Sequence, residues 1–443
     1  MKNSRRKFLH HSGLAIAGSS LAFPHILSAK NWKVAPSDQV NVGLIGCRQR
    51  GFAVLKDHLT MPEVNCVAIC DVDENVLNEK KAELKDKYNQ DPKVYLDFRK
   101  LLEQKDIDAV IIGTPDHWHC LPSVYACQAG KDVYVEKPMA NSIAECDLMV
   151  AAANKYNRIV QVGQQQRSGE VWNAAMKEIW SGKLGKLRRA NIWANFNYGL
   201  GPKKVSDTPA PNGVDYDFWL GPAATLPFND SRFHGSWRFF WDYGGGLMTD
   251  WGVHLIDMAL WARKIETPPK SVLASGTHGE FSDRSTETFN TMSVLFPMED
   301  DYLIQWEHTA GTQNGPYGRL YGIAFVGENG TLVADRRGWE IYPEWDNAKK
   351  ANKIEESKFN SEANSTVLHA QDFVNCIKTR EQPSCNAEVG RNVALYAHFA
   401  NIALRSGAYK LNWDVGKGKF DHKAANKFIT PKYRSPWELP KAV

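Results

Sequence analysis

Short apolar runs that each end in a polar turn and alternate with helical stretches constrain this chain most. Val40–Ile45 runs into glycine, 64–70 stops at Asp71, 109–112 at Thr114-Pro115, and 133–135 at Glu136-Lys137-Pro138; 159–162 is a fifth run. Between them, 73–88, 118–129 and 143–156 carry helical spacing. Strands separated by helices of this length pair in parallel, which predicts a doubly wound α/β sheet. Ligands of such sheets lie at the carboxyl ends of the strands, where the polar turns fall.

The first turn reads GLIGCRQRG over 43–51. Against a dinucleotide fingerprint, Gly46 and Gly51 take the first and third glycine places. Arg48 takes the second, where the backbone must approach a pyrophosphate. Arg48 either reaches the pyrophosphate with its side chain or is a solvated loop cation. Asp71 lies about twenty residues on, where an acid bonds the adenosine ribose and disfavours a 2′-phosphate, so NAD is expected over NADP.

The second half changes character. Residues 168–180 read as a helix and 187–198 as a strand. A long Gly-, Pro- and aromatic-rich loop over 199–244 is of a length usually kept for function. Period-2 runs at 271–277, 289–296, 302–308, 321–326 and 331–334 predict an open, mainly antiparallel sheet. Helices over 367–378 and 389–405 precede a tail.

The stretch GGGLMTDWGVH at 244–254 reads as a helix that is apolar almost all round, so it is buried. Asp250 and His254, four apart, share one face. A buried carboxylate and imidazole need partners or a task. Alone they read equally well as a satisfied core pair; with Lys137 at a strand end, they form a proton-handling set for oxidising or reducing an alcohol.

The start, SRRKFL at 4–9, has the form of a twin-arginine signal. A weakly apolar run to Leu27, broken by Gly18 and Pro24, is a poor membrane span. The expected organisation is a signal at 1–29, a leader arm at 30–38, a nucleotide-binding domain at 39–163 and a substrate and oligomerisation domain at 164–443. The expected localisation is periplasmic. The whole chain carries 54 basic and 50 acidic residues. Loss of Lys2, Arg5, Arg6 and Lys7 with the signal leaves the signs balanced, which points to neither a nucleic-acid nor a membrane partner. Eight scattered cysteines lack zinc spacing and read as buried thiols, and no metal site is expected.

These carriers together resemble the Gfo/Idh/MocA family, named for glucose–fructose oxidoreductase, inositol dehydrogenase and a rhizopine-catabolism protein. They are the glycine turn, GTPDHWH at 113–119, Glu136-Lys137-Pro138, and Asp250 with His254. DYDFWLGP at 215–222 and WRFFWDYGG at 237–245 look like one exported branch. The resemblance implies a Rossmann domain followed by an α/β domain whose open sheet supports a homodimer or homotetramer. It implies NAD(P), sugar or polyol substrates, and Lys137, Asp250 and His254 as the catalytic set.

On that basis His254 is the base for the hydroxyl proton, Lys137 the donor to the reacting oxygen, and Asp250 the group that positions substrate and offsets the lysine charge. Thr114, Pro115, His117 and His119 are expected to line the nicotinamide side, joined by Glu136 and Gln165. Arg167, Trp237, Arg238, Trp241 and Tyr243 are expected to contact sugar, through stacking on C–H faces and hydroxyl hydrogen bonds. His234 reads as a loop hydrogen-bonder. Three functions remain open: an exported NAD-dependent sugar, glycoside or polyol oxidoreductase with tightly held cofactor; a redox-neutral enzyme that cleaves a glycoside by oxidation, elimination and reduction; and a non-catalytic periplasmic sugar-binding protein.

Overall fold

The structure, a computed structural model, describes residues 38–279 and 281–440. The twin-arginine segment and all of the leader arm but Asp38 lie outside the described residues. Residues from Gln39 onward form one structural unit.

Its first half alternates β1 (Val40–Ile45), α1 (Gln49–His58), β2 (Val64–Cys70), α2 (Glu74–Tyr88), β3 (Lys93–Tyr95), α3 (Phe98–Leu102), β4 (Ala109–Ile112), α4 (Cys120–Gln128), β5 (Asp132–Val135), α5 (Ile143–Lys155) and β6 (Val160–Val162). The six strands form one sheet in the order β3-β2-β1-β4-β5-β6, and every pair is parallel. All four residues of β4 and of β5 are buried, as strands covered on both faces must be. Local chemistry starts the helices. The Asp73 carboxylate accepts from the backbone N–H groups of Asn75 and Val76 to cap α2. Ser142 caps α5 and donates to Glu145, a reciprocal cap.

The second half contributes α6 (Glu170–Trp180), β7 (Leu187–Ala194), α7 (Tyr216–Leu220), a π-helical turn at Met248–Gly252, α8 (Val253–Ala262), and β8 (Ser271–Thr277), β9 (Thr291–Pro297), β10 (Leu303–Thr309), β11 (Tyr321–Gly327), β12 (Gly330–Ala334) and β13 (Gly338–Pro343). A small ribbon, β14 (Trp345–Asp346) with β15 (Ala351–Asn352), precedes β16 (Lys358–Asn360), α9 (Ser365–Thr379), α10 (Ala387–Arg405), β17 (Lys410–Asp414) and β18 (Lys419–Phe420). A ten-stranded sheet runs β16-β13-β12-β11-β7-β10-β9-β8-β17-β18. Only the β10–β7 pair is parallel, so the sheet is mixed and mostly antiparallel.

The two sheets share apolar packing. α9 returns to the first half, where Phe373 and Val374 are buried with Leu44, Leu55 and Tyr134. α8, α10 and the inner face of the second sheet form a larger core with Val135 and Val162. The expected strand over 187–198 stops at Ala194, and the long loop contains α7 and several 3-10 turns.

All eight cysteines are buried free thiols, which agrees with the reading of them as core residues. Among the described residues, no helix is long and apolar enough to cross a membrane.

Candidate active site

A cavity of about 380 Å³ opens where β1, β2, β4 and β5 end. Gly46 turns the chain there with φ +87°, and a Cβ at that position would meet the Thr114 nitrogen at 2.7 Å. A Cβ on Gly51 would stand 2.0 Å from the Gly46 carbonyl oxygen, so only glycine lets α1 start this close to the strand. The Asp71 carboxylate accepts from the Cys47 N–H at 2.7 Å and the Asp73 N–H at 3.1 Å, which ties the turn to the end of β2. Burial nonetheless pushes its pKa up to about 6.

Across the cavity, the Lys137 ammonium donates to Asp250 Oδ1 at 2.6 Å and to the Asp250 carbonyl at 3.0 Å. Tyr198 donates its hydroxyl to Asp250 Oδ2 at 2.8 Å, and Arg238 Nε stands 3.7 Å from the same oxygen. Burial works against the charge on Asp250, but Lys137 and Arg238 outweigh it and hold the carboxyl well below the usual range. Asp250 is therefore an anion and Lys137 its counter-ion.

His254 lines the same cavity and is only 4% exposed. Burial, then the charges of Arg336 and Lys137, hold its pKa well below 6.5, so the ring is neutral. Its Nδ1 is buried and has no hydrogen-bond partner among the described residues. The π turn that carries Asp250 runs directly into α8, which carries His254. The helix is present as expected, but its first turn is wider than α; such turns are frequent at functional sites.

The nucleotide end fits the group its motif implies. Gly46 and Gly51 let the turn pass close to the strand ends, and Arg48 stands at the N-cap of α1, where N–H groups and the helix dipole favour an anion. Thr114 Oγ1 and Gln165 Oε1 line the cavity, buried without partners among the described residues. Pro115 and Glu136 line it too. The Glu136 carboxylate accepts from Arg50 Nε at 2.8 Å and from the Lys137 N–H at 3.2 Å, which braces the end of β5.

Several expected ligands do structural work instead. The ring nitrogens of His119 face the carbonyls of Pro138 at 2.7 Å and Thr114 at 3.0 Å, so His119 bridges two turns rather than lining the nicotinamide side. His117 is buried against Trp219 and Tyr243, its Nε2 on the Trp219 carbonyl at 3.1 Å. Neither reaches the cavity. Tyr243 is fully buried in that aromatic cluster and does not line the cavity. Trp241 also misses the cavity; Arg405 lies over its ring at 4.5 Å. Arg167 is spent on buried Asp257, its Nη2 donating to Oδ1 at 2.7 Å and its Nε to Oδ2 at 3.1 Å. Trp237 and Arg238 do line the cavity, with the guanidinium 4.6 Å over the indole. His234 both lines it and bonds Asp73 at 3.1 Å.

The sequence reading missed Asp116, Trp219, Trp251 and Arg336, all of which line the cavity. Asp116 had a signal, since it sits inside the GTPDHWH turn. Burial pushes its carboxyl well above the usual range, although Lys137 and Arg238 favour the anion.

A dinucleotide-type strand-end crevice beside a lysine–aspartate–histidine set defines a nicotinamide-dependent oxidoreductase class. A family model described as "Oxidoreductase family, NAD-binding Rossmann fold" matches residues 40–164, and one described as "Oxidoreductase family, C-terminal alpha/beta domain" matches 179–291. The chain belongs to the Gfo/Idh/MocA oxidoreductase family.

Among curated relatives, a glycosyl hydrolase family 109 protein of Shewanella baltica (strain OS185) is 32% identical over 203 residues, 41% of this chain and 44% of its own length. One from Shewanella putrefaciens is 30% identical over 201 residues, with the same shares. The chain thus matches less than half the length of these relatives. In solved structures the fold recurs in levoglucosan dehydrogenase in complex with NADH and levoglucosan (TM-score 0.66, 19% identity, 84% of this chain and 99% of that one). It recurs in the WlbA dehydrogenase from Bordetella pertussis in complex with NADH and UDP-GlcNAcA (TM-score 0.62, 18% identity, 85% and 99%).

Proposed function

We propose that this protein is an exported NAD-dependent oxidoreductase acting on a secondary hydroxyl of a sugar, glycoside or polyol. One observation carries the reading: Lys137, Asp250 and His254 line one cavity with the glycine turn and Asp71. The glycine turn and Arg48 would hold the pyrophosphate, Asp71 the ribose, and Thr114 and Gln165 would flank the nicotinamide. The bound nicotinamide supplies the hydride acceptor.

The protein's residues handle the remaining proton and charge. The neutral His254 ring takes the hydroxyl proton through an unshared nitrogen, an efficient role for imidazole. Lys137 donates to the same oxygen and stabilises the negative charge that develops on it. Asp250 aims the ammonium through the 2.6 Å contact. Oxidation of the alcohol to a ketone would leave its proton on His254, with the bound nicotinamide as the acceptor of the hydride. Trp237 and Arg238 supply an apolar face and a donor for the sugar.

A second reading has its own support. The curated relatives at about 30% identity are glycosyl hydrolase family 109 proteins. Under it, the same oxidation is followed by elimination at the glycosidic bond and return of the hydride. Purified protein incubated with a panel of glycosides separates the two by mass spectrometry. A ketone product with reduced cofactor supports the first reading, and a cleaved glycoside with no net reduction supports the second. Absence of both supports a sugar-binding role.

A further inference from the structure

The cations lining the cavity are mostly neutralised. Arg50 pairs with Glu136 and Lys137 with Asp250, and Arg238 leans on Asp250. Among the described residues, Arg48 and Arg336 are the lining arginines with no carboxylate within 4.0 Å. Arg48 stands at the N-cap of α1, where the pyrophosphate reading already gives it an anion. Arg336 has no such assignment.

Arg336 comes from the turn between β12 and β13, on the side of the cavity that holds His254. Its Nε donates to Gln166 Oε1 at 3.0 Å, and Gln166 in turn donates to the His254 carbonyl at 2.9 Å. Its guanidinium lies 4.6 Å over the Trp251 ring. One bond and one stacked face thus fix the plane of the group, while neither Nη atom has a hydrogen bond among the described residues. A guanidinium cannot shed its charge in a protein, and leaving one half-buried and unpaired is costly. An oriented, unengaged fork is the shape that takes a carboxylate or sulfate through two parallel hydrogen bonds.

We propose that Arg336 selects substrates bearing an anionic group, so that the sugar oxidised at Lys137 and His254 is an acidic one: a uronic acid or a sulfated sugar. The inference rests on the sugar oxidoreductase reading and names its substrate class. It also accounts for the company Arg336 keeps. Trp251 and Gln166 hold the fork ready before substrate arrives, which lowers the ordering cost of binding. Asp250 does not repel the incoming anion strongly, because Lys137 and Arg238 already balance its charge.

The test is calorimetry on the full purified protein. The probes are glucose, galactose and mannose, their uronic acids and their 6-sulfates. The proteins are wild type, Arg336→Lys and Arg336→Met. At least one acidic member is expected to bind about 10-fold or more tighter than its neutral parent, with Arg336→Met costing that member about 30-fold and the parent far less. Arg336→Lys falls between, since an ammonium keeps the charge and loses the fork. Preference for uronic acids or for sulfates identifies the source of the anion. No preference for any acidic member overturns the proposal, and so does equal weakening of acidic and neutral members in both variants. Formation of reduced nicotinamide is followed separately. Its absence with every sugar counts against the oxidoreductase reading, while the binding preference still reports on Arg336.

Discussion

Lys137 and Asp250 stand 113 positions apart in sequence and 2.6 Å apart in space, an ion pair across the mouth of a strand-end crevice. Each explains the other. The ammonium keeps the carboxylate ionised despite burial, and the carboxylate fixes where the ammonium points. Lys137 also donates to the Asp250 carbonyl, so the lysine is anchored to the backbone of the π turn as well as to its side chain.

Removing members of this set should therefore separate chemistry from stability. Lys137→Ala, Asp250→Ala and His254→Ala are each expected to reduce turnover by about 100-fold or more, the usual scale for acid–base and oxyanion-type contacts. Asp250→Ala should also destabilise the fold by about 3 kcal/mol, because it strands a partly buried ammonium. Turnover is read on the true substrate and stability by denaturant unfolding. A His254→Ala enzyme with near wild-type turnover removes His254 from the mechanism.

The neutral state of His254 has a pH signature. Its pKa is depressed by burial first, then by Arg336 and Lys137. A base depressed in the folded protein stays unprotonated to lower pH, so the acid limb of kcat/KM should lie below the ordinary imidazole value of about 6.5. Arg336→Met removes the largest of the three repelling charges, those of Arg336, Lys137 and Arg50, and should move that limb upward. A wild-type limb at or above that value contradicts the assignment of His254 as base.

Cofactor choice should itself depend on pH. Asp71 titrates at about 6, so it is anionic at neutral pH and loses its charge below. NAD is expected to bind tighter than NADP at pH 7, with the gap narrowing under acid conditions as the repulsion of the 2′-phosphate fades. Arg50 is engaged by Glu136, while Arg48 has no carboxylate partner among the described residues. Comparative calorimetry on stripped protein decides the matter. Tighter NADP binding at neutral pH means that Arg48 outweighs Asp71.

The glycine turn gives a stability test. Gly51→Ala places a methyl 2.0 Å from the Gly46 carbonyl and 3.2 Å from Gly113 Cα, both backbone atoms that cannot swing aside. The expected cost is about 3 kcal/mol, the upper end for overpacking, together with weaker NAD binding. A variant that melts like wild type shows that α1 can back away from the strand.

Much of the frame was legible because it is local. β1, β2, β4 and β8 fall where apolar runs and their closing turns place them. The motif residues Gly46, Asp71, Thr114, Lys137, Asp250 and His254 all reach the site or hold its turn, since strand ends in a doubly wound sheet converge by topology. What failed was choosing among polar and aromatic residues by type alone. Arg167 looked like a ligand until buried Asp257 claimed it, and Asp257 reads in sequence as one more polar position on α8. His117, His119 and Tyr243 are held by carbonyls and rings brought in from elsewhere in the fold. Arg336 was invisible for the converse reason: a charged turn between two strands looks solvated until the fold carries it over Trp251.

The proposed export bears on how firmly the site must hold its cofactor. A twin-arginine signal carries folded proteins, and a cofactor loaded in the cytoplasm is one reason to travel folded. The compartment outside has no replenished pool of free NAD. A nicotinamide enzyme at work there must keep its cofactor through many turnovers, passing the hydride to a second sugar or returning it to the first. The glycine turn, the N-terminus of α1 and Asp71 would give the nucleotide a fixed cradle. Purified mature protein is therefore expected to carry nicotinamide nucleotide at close to one per chain after extensive dialysis. The measurement is release by denaturation and quantification, alongside the dissociation rate of added NAD. A site found empty after mild purification, with fast and weak exchange, would falsify the retained-cofactor account and return the sugar-binding role to first place.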